Sequence, residues 1–246
     1  MALYRYVKAP PVRRRVHKKP MWLSFVFMGL GGAILLWVLW PIVSFSLVGD
    51  QLFSKTITPV NDASDMVRTT SLSTVAYAAG TDGFNSGTDI SVNANTWYPT
   101  VPQKHVTSQV NTYTLSIPKL KINNALVTIG GDNLDESLVH YGGTGVPGQY
   151  GTAVVFGHSN LPQFYSPTDY KTIFSMLPTL KIGDDIVVTY DGVTYKYVVY
   201  DMVVLDPTDL STLEQQFDDS YLTLVTCVPP GTLWKRLDVK AKLSTI

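Results

Sequence analysis

Alternating and β-branched residues recur in short runs through the second half of the chain, which is the pattern of strands in a sheet. The runs that predict strands are residues 114–118, 125–129, 151–157, 186–190, 193–205, 221–227 and 233–243. Asp191-Gly192 separates two of them and is a strong signal for a two-residue hairpin turn. Residues 169–177 and 209–216 predict short helical elements. Many short strands with Gly and Pro turns predict a mostly β barrel or sandwich of about 130 residues, a common size for one domain.

A long apolar run near the N-terminus predicts a helix that crosses a membrane. Residues 21–48 contain no charged side chain, and about 20 apolar residues in a helix span a bilayer. Lys and Arg crowd into residues 1–20, so this tail should stay in the cytoplasm and the rest of the chain should lie outside. A cleaved signal peptide is the alternative, but the run is too long for one and no small-residue cleavage site follows directly.

Residues 49–111 are rich in Ser, Thr, Asn, Asp and Gly and show no sustained period, which predicts a flexible extracytoplasmic stalk. Within it, residues 81–89 faintly resemble a calcium loop, but they lack the acidic spacing and the terminal glutamate of an EF-hand. We therefore expect a solvated linker there rather than a calcium site. The predicted folded domain is residues 112–246.

Composition excludes several classes of function. The formal net charge is +0 at pH 7, so no general attraction to nucleic acid is implied. A single cysteine excludes a disulfide within the chain and any metal site built from several thiolates. Neither a nucleic-acid partner nor a thiolate-bound metal is therefore expected.

The single cysteine, Cys227, is the last residue of the predicted strand 221–227. Thr223 and Val225 share its strand face, and the Pro-Pro-Gly sequence at 229–231 prevents regular pairing beyond it. A thiol at the end of a rigid strand beside an irregular loop suits a nucleophile that must be both fixed and reachable. Buried free cysteines are also common, so this stretch alone leaves a nucleophile and a small buried hydrophobic residue equally open.

A reactive cysteine needs a neighbouring base or positive charge, because the thiolate is the attacking species. His158 follows a buried-looking strand and, like Cys227, stands where a strand runs into a loop. His140 lies in a turn-rich region where a structural hydrogen bond is the expected role. His17 precedes the apolar run and His105 lies in the predicted stalk, so neither is a candidate. We therefore predict that His158 is the partner.

Attack on a carbonyl also calls for a donor to the oxyanion that forms, and each fixed donor of this kind is worth about 3 kcal/mol. Arg236 lies near the start of the last predicted strand, on the face opposite the apolar side chains of that strand. Because side chains alternate along a strand, Lys235 would lie on the apolar face. Arg also offers a permanently charged planar fork that Lys lacks. The alternative for Arg236 is an ordinary surface charge.

Four stretches of the chain match the motifs of one family. Residues 223–227 read Thr-Leu-Val-Thr-Cys, residues 156–158 read Phe-Gly-His, and residues 235–237 read Lys-Arg-Leu. Residues 115–120 read Leu-Ser-Ile-Pro-Lys-Leu. Together they resemble the TLxTC signature, the strand-end histidine, the arginine-bearing strand and the first barrel strand of the sortases. The resemblance covers residues 113–246, keeps the order His, Cys, Arg, and fits an N-terminal membrane anchor.

The resemblance implies a closed eight-stranded sortase-type β-barrel with short helices, preceded by the transmembrane helix and the stalk. It implies a cysteine transpeptidase in which Cys227 attacks the Thr–Gly bond of an LPxTG-like sorting signal and holds the substrate as a thioester. His158 would protonate the leaving amine, and Arg236 would stabilise the oxyanion and hold the substrate backbone. Val225 and Thr226, beside the nucleophile, would contact the substrate.

The implied partners are a sorting-signal protein, an amine acceptor from a cell-wall precursor or a pilin lysine, and the membrane. No metal or cofactor is implied by this chemistry. Two features depart from the family: the loop of residues 228–234 is short and contains Pro-Pro-Gly, and the stalk is long enough for part of it to fold over the groove as a lid.

Two other functions stay open. One is a membrane-anchored cysteine protease that gives its thioester to water. The other is a non-catalytic β-barrel that binds wall peptides or organises a pilus, in which case Cys227 would have ordinary thiol reactivity.

Overall fold

Within the described residues, the regular structure is one long helix, eight strands and five short 3₁₀ helices. The computed structural model of the protein describes residues 21–52, 92–98, 101, 103–104 and 110–244. The elements are α1 Met21–Leu52, β1 Thr112–Ile117, β2 Ile122–Ile129, β3 Leu138–His140, β4 Gly151–Phe156, β5 Asp185–Tyr190, β6 Val193–Leu205, β7 Ser220–Val228 and β8 Lys235–Leu243. The basic residues 1–20 and the calcium-loop candidate 81–89 lie outside the described residues.

The helix α1 is apolar on all sides, with large hydrophobic side chains exposed along its length. Its stretch Ser24–Leu47 is 24 residues long, which is enough by length and composition to cross a bilayer. The helix contains Pro41 and continues to Leu52, slightly past the predicted end at residue 48. A helix with no polar face is suited to a hydrocarbon environment rather than to the surface of a globular domain.

The eight strands close into a barrel in the order β1-β2-β3-β4-β7-β8-β6-β5, which confirms the predicted fold class. The pairs β2–β3 and β4–β7 are parallel, and the other pairs are antiparallel. Closure leaves no free sheet edge, so every strand is held by a neighbour on each side.

The barrel interior is filled by one side of each strand. On β7, Leu222 and Leu224 belong to this inner core, and on β8 so do Leu237, Val239 and Ala241. All five are 0% exposed, and full burial of such side chains is worth about 1.5–3 kcal/mol each for the larger ones. Because side chains alternate along a strand, the residues between them point to the outside of the barrel.

A second hydrophobic cluster covers part of the outer face. Ala94, Trp97 and Tyr98 pack there against barrel residues that include Phe156 and Cys227. These three residues belong to the range predicted as a flexible stalk, yet they are at most 5% exposed. The stalk prediction does not describe residues 92–98, because the apolar surface that orders them is supplied by strands distant in sequence.

Local sequence signals gave mixed results. The Asp191-Gly192 hairpin is confirmed, with φ of 50° and 74° at the two residues, as a type I′ turn requires. The helix predicted at residues 169–177 is wrong: the backbone there forms turns, and the amide of Phe174 donates to the carbonyl of His158 at 3.0 Å. That long-range bond replaces the local one that a helix would make at this position. The three-residue strand β3 was not predicted.

Candidate active site

Three neighbouring strands carry the three predicted catalytic residues on the outer face of the barrel. Cys227 on β7 is the register partner of Arg236 on β8. On the other side of β7, Phe156 of β4 pairs with Val225 in parallel. Continuing that register by two residues puts His158 beside Cys227, on the same face. The structure therefore brings the three residues together in the order His158, Cys227, Arg236.

A direct polar contact joins the cysteine to the arginine. The Arg236 Nη1 atom donates to Cys227 Sγ over 3.3 Å. Both side chains are buried, with exposures of 2% for Cys227 and 7% for Arg236. Burial raises the pKa of the Cys227 thiol, and the positive charge of Arg236 acts in the opposite direction. In this closed arrangement the thiol form is favoured, with a cation already in place for the thiolate.

Gly157 allows His158 to approach the cysteine strand. A Cβ at this position would lie 2.5 Å from a ring atom of Phe174 and 2.7 Å from Leu138, so only glycine fits without displacement. The carbonyl of Gly157 accepts a 2.8 Å bond from the Thr226 hydroxyl. One residue after the histidine, the Ser159 hydroxyl donates to the carbonyl of Cys227 at 2.6 Å. The backbone on both sides of His158 is thus tied to β7.

Trp97 packs beside both the arginine and the histidine. The Arg236 Cζ atom is 4.5 Å from the centroid of the indole ring, within cation–π distance. The His158 ring centroid is 6.4 Å from that of Trp97, at an interplanar angle of 56°. Trp97 also meets Phe156 edge-on at 5.3 Å. The indole belongs to the same buried cluster as Cys227, so it is part of what buries the site.

The two residues predicted to contact substrate are fully buried in this arrangement. Thr226 points to the barrel interior side and uses its hydroxyl in the bond to Gly157. Val225 faces outward but lies in the outer cluster beneath the aromatic side chains. Their predicted contact with substrate stays a prediction.

The residues set aside in the sequence have other partners. His140 is buried, with Nδ1 2.9 Å from the Tyr113 hydroxyl and Nε2 3.0 Å from Thr144 Oγ1. Burial lowers the pKa of His140 to about 4, so it is a neutral hydrogen-bonding group at neutral pH.

Lys235 is exposed and pairs with Asp206 at 2.5 Å. Within the described residues, no group of three or more His, Cys, Asp or Glu side chains is arranged to hold a metal ion.

Asp238 is a buried acid beside the site that sequence reasoning missed. It is 0% exposed and sits two residues after Arg236 on the same face of β8. Tyr98 covers this region and donates to the Thr212 hydroxyl at 3.3 Å. Within the described structure neither oxygen of Asp238 has a hydrogen bond of ordinary geometry, although the Thr212 side chain lies near enough to affect it. Burial raises the pKa of Asp238 to about 7, against the opposing effects of Thr212, Lys240 and Arg236.

Comparison with known proteins identifies the family of the chain. A family model described as the sortase domain matches residues 115–244, which is more than half of the chain. The chain belongs to the sortase family. Sortases are cysteine transpeptidases in general, and the barrel described above is the sortase fold. The search of curated proteins gave no match.

Several solved sortases are similar to this chain. Clostridium perfringens sortase D5 is 27% identical, with 55% of this chain and 79% of that one covered and a TM-score of 0.47. Corynebacterium diphtheriae sortase A is 28% identical, with coverage of 57% and 64% and a TM-score of 0.49. Actinomyces oris sortase C-1 is 29% identical, with coverage of 57% and 76% and a TM-score of 0.48.

Replacing Trp97 should expose the nucleophile. In Trp97→Ala, the reaction of Cys227 with a thiol reagent is expected to be at least about tenfold faster, because water then reaches Sγ and relieves the burial that disfavours the thiolate. The chain has one cysteine, so bulk labelling kinetics report this thiol alone. Trp234→Ala, at a side chain that is 61% exposed, is the matched control. An unchanged labelling rate in Trp97→Ala would show that the indole does not limit access.

Asp238 should make stability depend on pH. Its pKa is raised in the folded protein, so the folded state binds this proton more tightly than the unfolded chain does. The stabilisation of the folded state by protonated Asp238 is therefore present at acid pH. It is lost as the pH rises from about 4 to about 7, which lowers the free energy of unfolding by as much as about 4 kcal/mol. The side chain in Asp238→Asn is neutral at every pH, so this pH dependence of the free energy of unfolding is absent from the variant. Thermal melts from acid to mildly alkaline pH should show wild type losing stability relative to the variant; parallel curves would contradict the assignment.

Proposed function

We propose that this protein is a membrane-anchored sortase that cleaves an LPxTG-like sorting signal at its Thr–Gly bond and transfers the signal-bearing protein to an amine. The observation that carries this proposal is the 3.3 Å contact between Arg236 Nη1 and Cys227 Sγ, with His158 two residues beyond the end of the adjoining strand β4. A nucleophile, a proton carrier and a fixed cation are the three parts that acyl transfer through a thioester needs.

The first half of the reaction forms the thioester. Cys227 attacks as the thiolate, and its Sγ bonds to the threonine carbonyl carbon. The oxyanion that develops is stabilised by the guanidinium of Arg236, which is already positioned at the sulfur. When the carbon–nitrogen bond breaks, imidazolium His158 gives its proton to the departing amine and becomes neutral.

The second half reverses the roles. An acceptor amine attacks the thioester carbonyl, neutral His158 takes the proton that this nitrogen loses, and the carbon–sulfur bond breaks. Sγ leaves as the thiolate next to Arg236, so the ion pair that began the cycle is restored. No other proton donor is required by this sequence of steps.

Removal of Trp97 from the site is part of the proposed cycle. The substrate takes the place of the indole over the row of three residues, and the cation–π contact of Arg236 is replaced by contacts to the substrate backbone. Opening also hydrates Cys227, which favours the thiolate that burial disfavours.

The proposed location follows from the N-terminal segment. The helix α1 is consistent with a single-pass anchor, and the Lys and Arg of residues 1–20 favour a cytoplasmic N-terminus. The barrel then lies outside the cell membrane, where a sorting-signal protein and an amine of the cell wall or of a pilin are its proposed partners.

Substitution of each member of the row should impair turnover to a different degree. Cys227→Ala should give no thioester and no product. His158→Ala should lower kcat by about 10²- to 10⁴-fold, and Arg236→Ala by about 10²- to 10³-fold. Lys235→Ala, which removes a neighbouring exposed cation, is the control and should be near wild type. Cleavage of a panel of LPxTG-like peptides by the full chain in detergent measures this, and turnover by Cys227→Ala would reject the mechanism.

The acceptor should decide the product. With a short amine-bearing peptide present, mass spectrometry should show the substrate fragment joined to that peptide. Without it, the thioester should accumulate on Cys227 and hydrolyse slowly. Equal hydrolysis with and without the amine, and no joined product across several amines, would instead identify a protease.

A further inference from the structure

An acid that the proposed steps do not use lies next to His158. The Asp135 Oδ1 atom is 3.5 Å from His158 Nε2, and the Asp135 Oδ2 atom is 3.2 Å from Lys171 Nζ. The carboxylate thus stands between the imidazole and an ammonium group. Its side chain is 27% exposed, whereas that of His158 is 11% exposed, so the contact lies at the edge of the covered site.

The loop between β2 and β3 holds Asp135 in place. Its backbone amide donates to the side chain of Asn133 at 3.0 Å. The preceding residue, Leu134, is fully buried in the outer cluster, and its amide donates to the carbonyl of Val92 at 3.0 Å. The carboxylate is therefore presented by an anchored backbone rather than by a free loop.

The charges around His158 give Asp135 a defined effect. Arg236 is the register partner of Cys227 and packs on Trp97, which also lies beside the His158 ring. Lys171 lies 3.2 Å from the second oxygen of Asp135. A nearby cation disfavours an imidazolium and a nearby carboxylate favours it. Asp135 is the carboxylate that lies against the His158 ring and so favours its charged form.

We propose that Asp135 is a positioning residue for His158: it orients the ring through Nε2 and favours the imidazolium form, while Lys171 holds and partly neutralises the carboxylate. This inference rests on the proposed function for its effect on turnover. Asp135 does not take up the proton. The proton that reaches the leaving amine departs from the imidazolium, and the incoming amine returns one to the neutral ring.

The pH dependence of kcat/KM tests the direction in which Asp135 changes the stability of the His158 imidazolium. Burial raises the pKa of the Cys227 thiol, so in the proposed reaction the thiolate is the disfavoured half of the thiolate–imidazolium pair. The acid limb of kcat/KM therefore reports His158, and the fraction of reactive pairs falls as the imidazolium becomes less stable.

The test compares Asp135→Asn, Asp135→Glu and Lys171→Met in the full chain in detergent, with Glu136→Gln as the control for loss of an adjacent exposed acid. In Asp135→Asn, the acid limb should move down by about one pH unit and the maximal kcat/KM should fall about tenfold. Lys171→Met should move the limb the opposite way, by less, since it is a largely exposed cation. In Asp135→Glu the acid limb should return to its wild-type position, and in Glu136→Gln it should stay there.

A second readout is independent of turnover. The proton NMR titration of the His158 ring, identified by its loss in His158→Gln, should shift with the same signs in the Asp135 and Lys171 variants. Lower activity in Asp135→Asn with the limb and the titration unmoved would overturn the proposal, because it would show only a structural role. Turnover by Cys227→Ala would reject the proposed function, while the titration would still decide whether Asp135 acts on His158.

Discussion

The site depends on the register of three adjacent strands. β7 is held in parallel register with β4 and in antiparallel register with β8, and these ladders put His158, Cys227 and Arg236 in one row on the outer face. A shift of one residue would turn the cysteine toward the barrel interior and leave the arginine facing elsewhere. The inner core resists such a shift, because it would expose Leu224 and Val239, which are 0% exposed.

The outer cluster covers the same row of residues. Trp97 and Tyr98 exclude water from the thiol, and they do so by packing on the residues that the chemistry uses. In the proposed cycle, the contacts that close the site and the contacts that bind substrate therefore compete for one surface. Burial keeps the Cys227 thiol neutral while the cover is in place, so reactivity and access change together. This coupling arises from the shared surface and requires no separate regulatory domain.

Most of the barrel was predictable because its strands carry strong local signals. The Asp-Gly turn, the β-branched run of β7 and the alternation of β8 each predict the local backbone structure from a few consecutive residues. The errors lie where a distant contact overrides the local pattern. Residues 169–177 have a helical composition but bond to the loop after β4, and β3 is three residues long, too short to show a period.

The sequence by itself determined the apolar segment near the N-terminus, the strand-rich domain and the three residue types with the chemistry of acyl transfer. Only the tertiary structure decided which other side chains join them. Asp238 and Lys240 share one face of β8, yet only Asp238 is fully buried. Asp135 and Glu136 are neighbours, yet only Asp135 pairs with His158. Burial and ion pairing depend on atoms from distant parts of the chain, so they follow from how the barrel closes rather than from any local pattern.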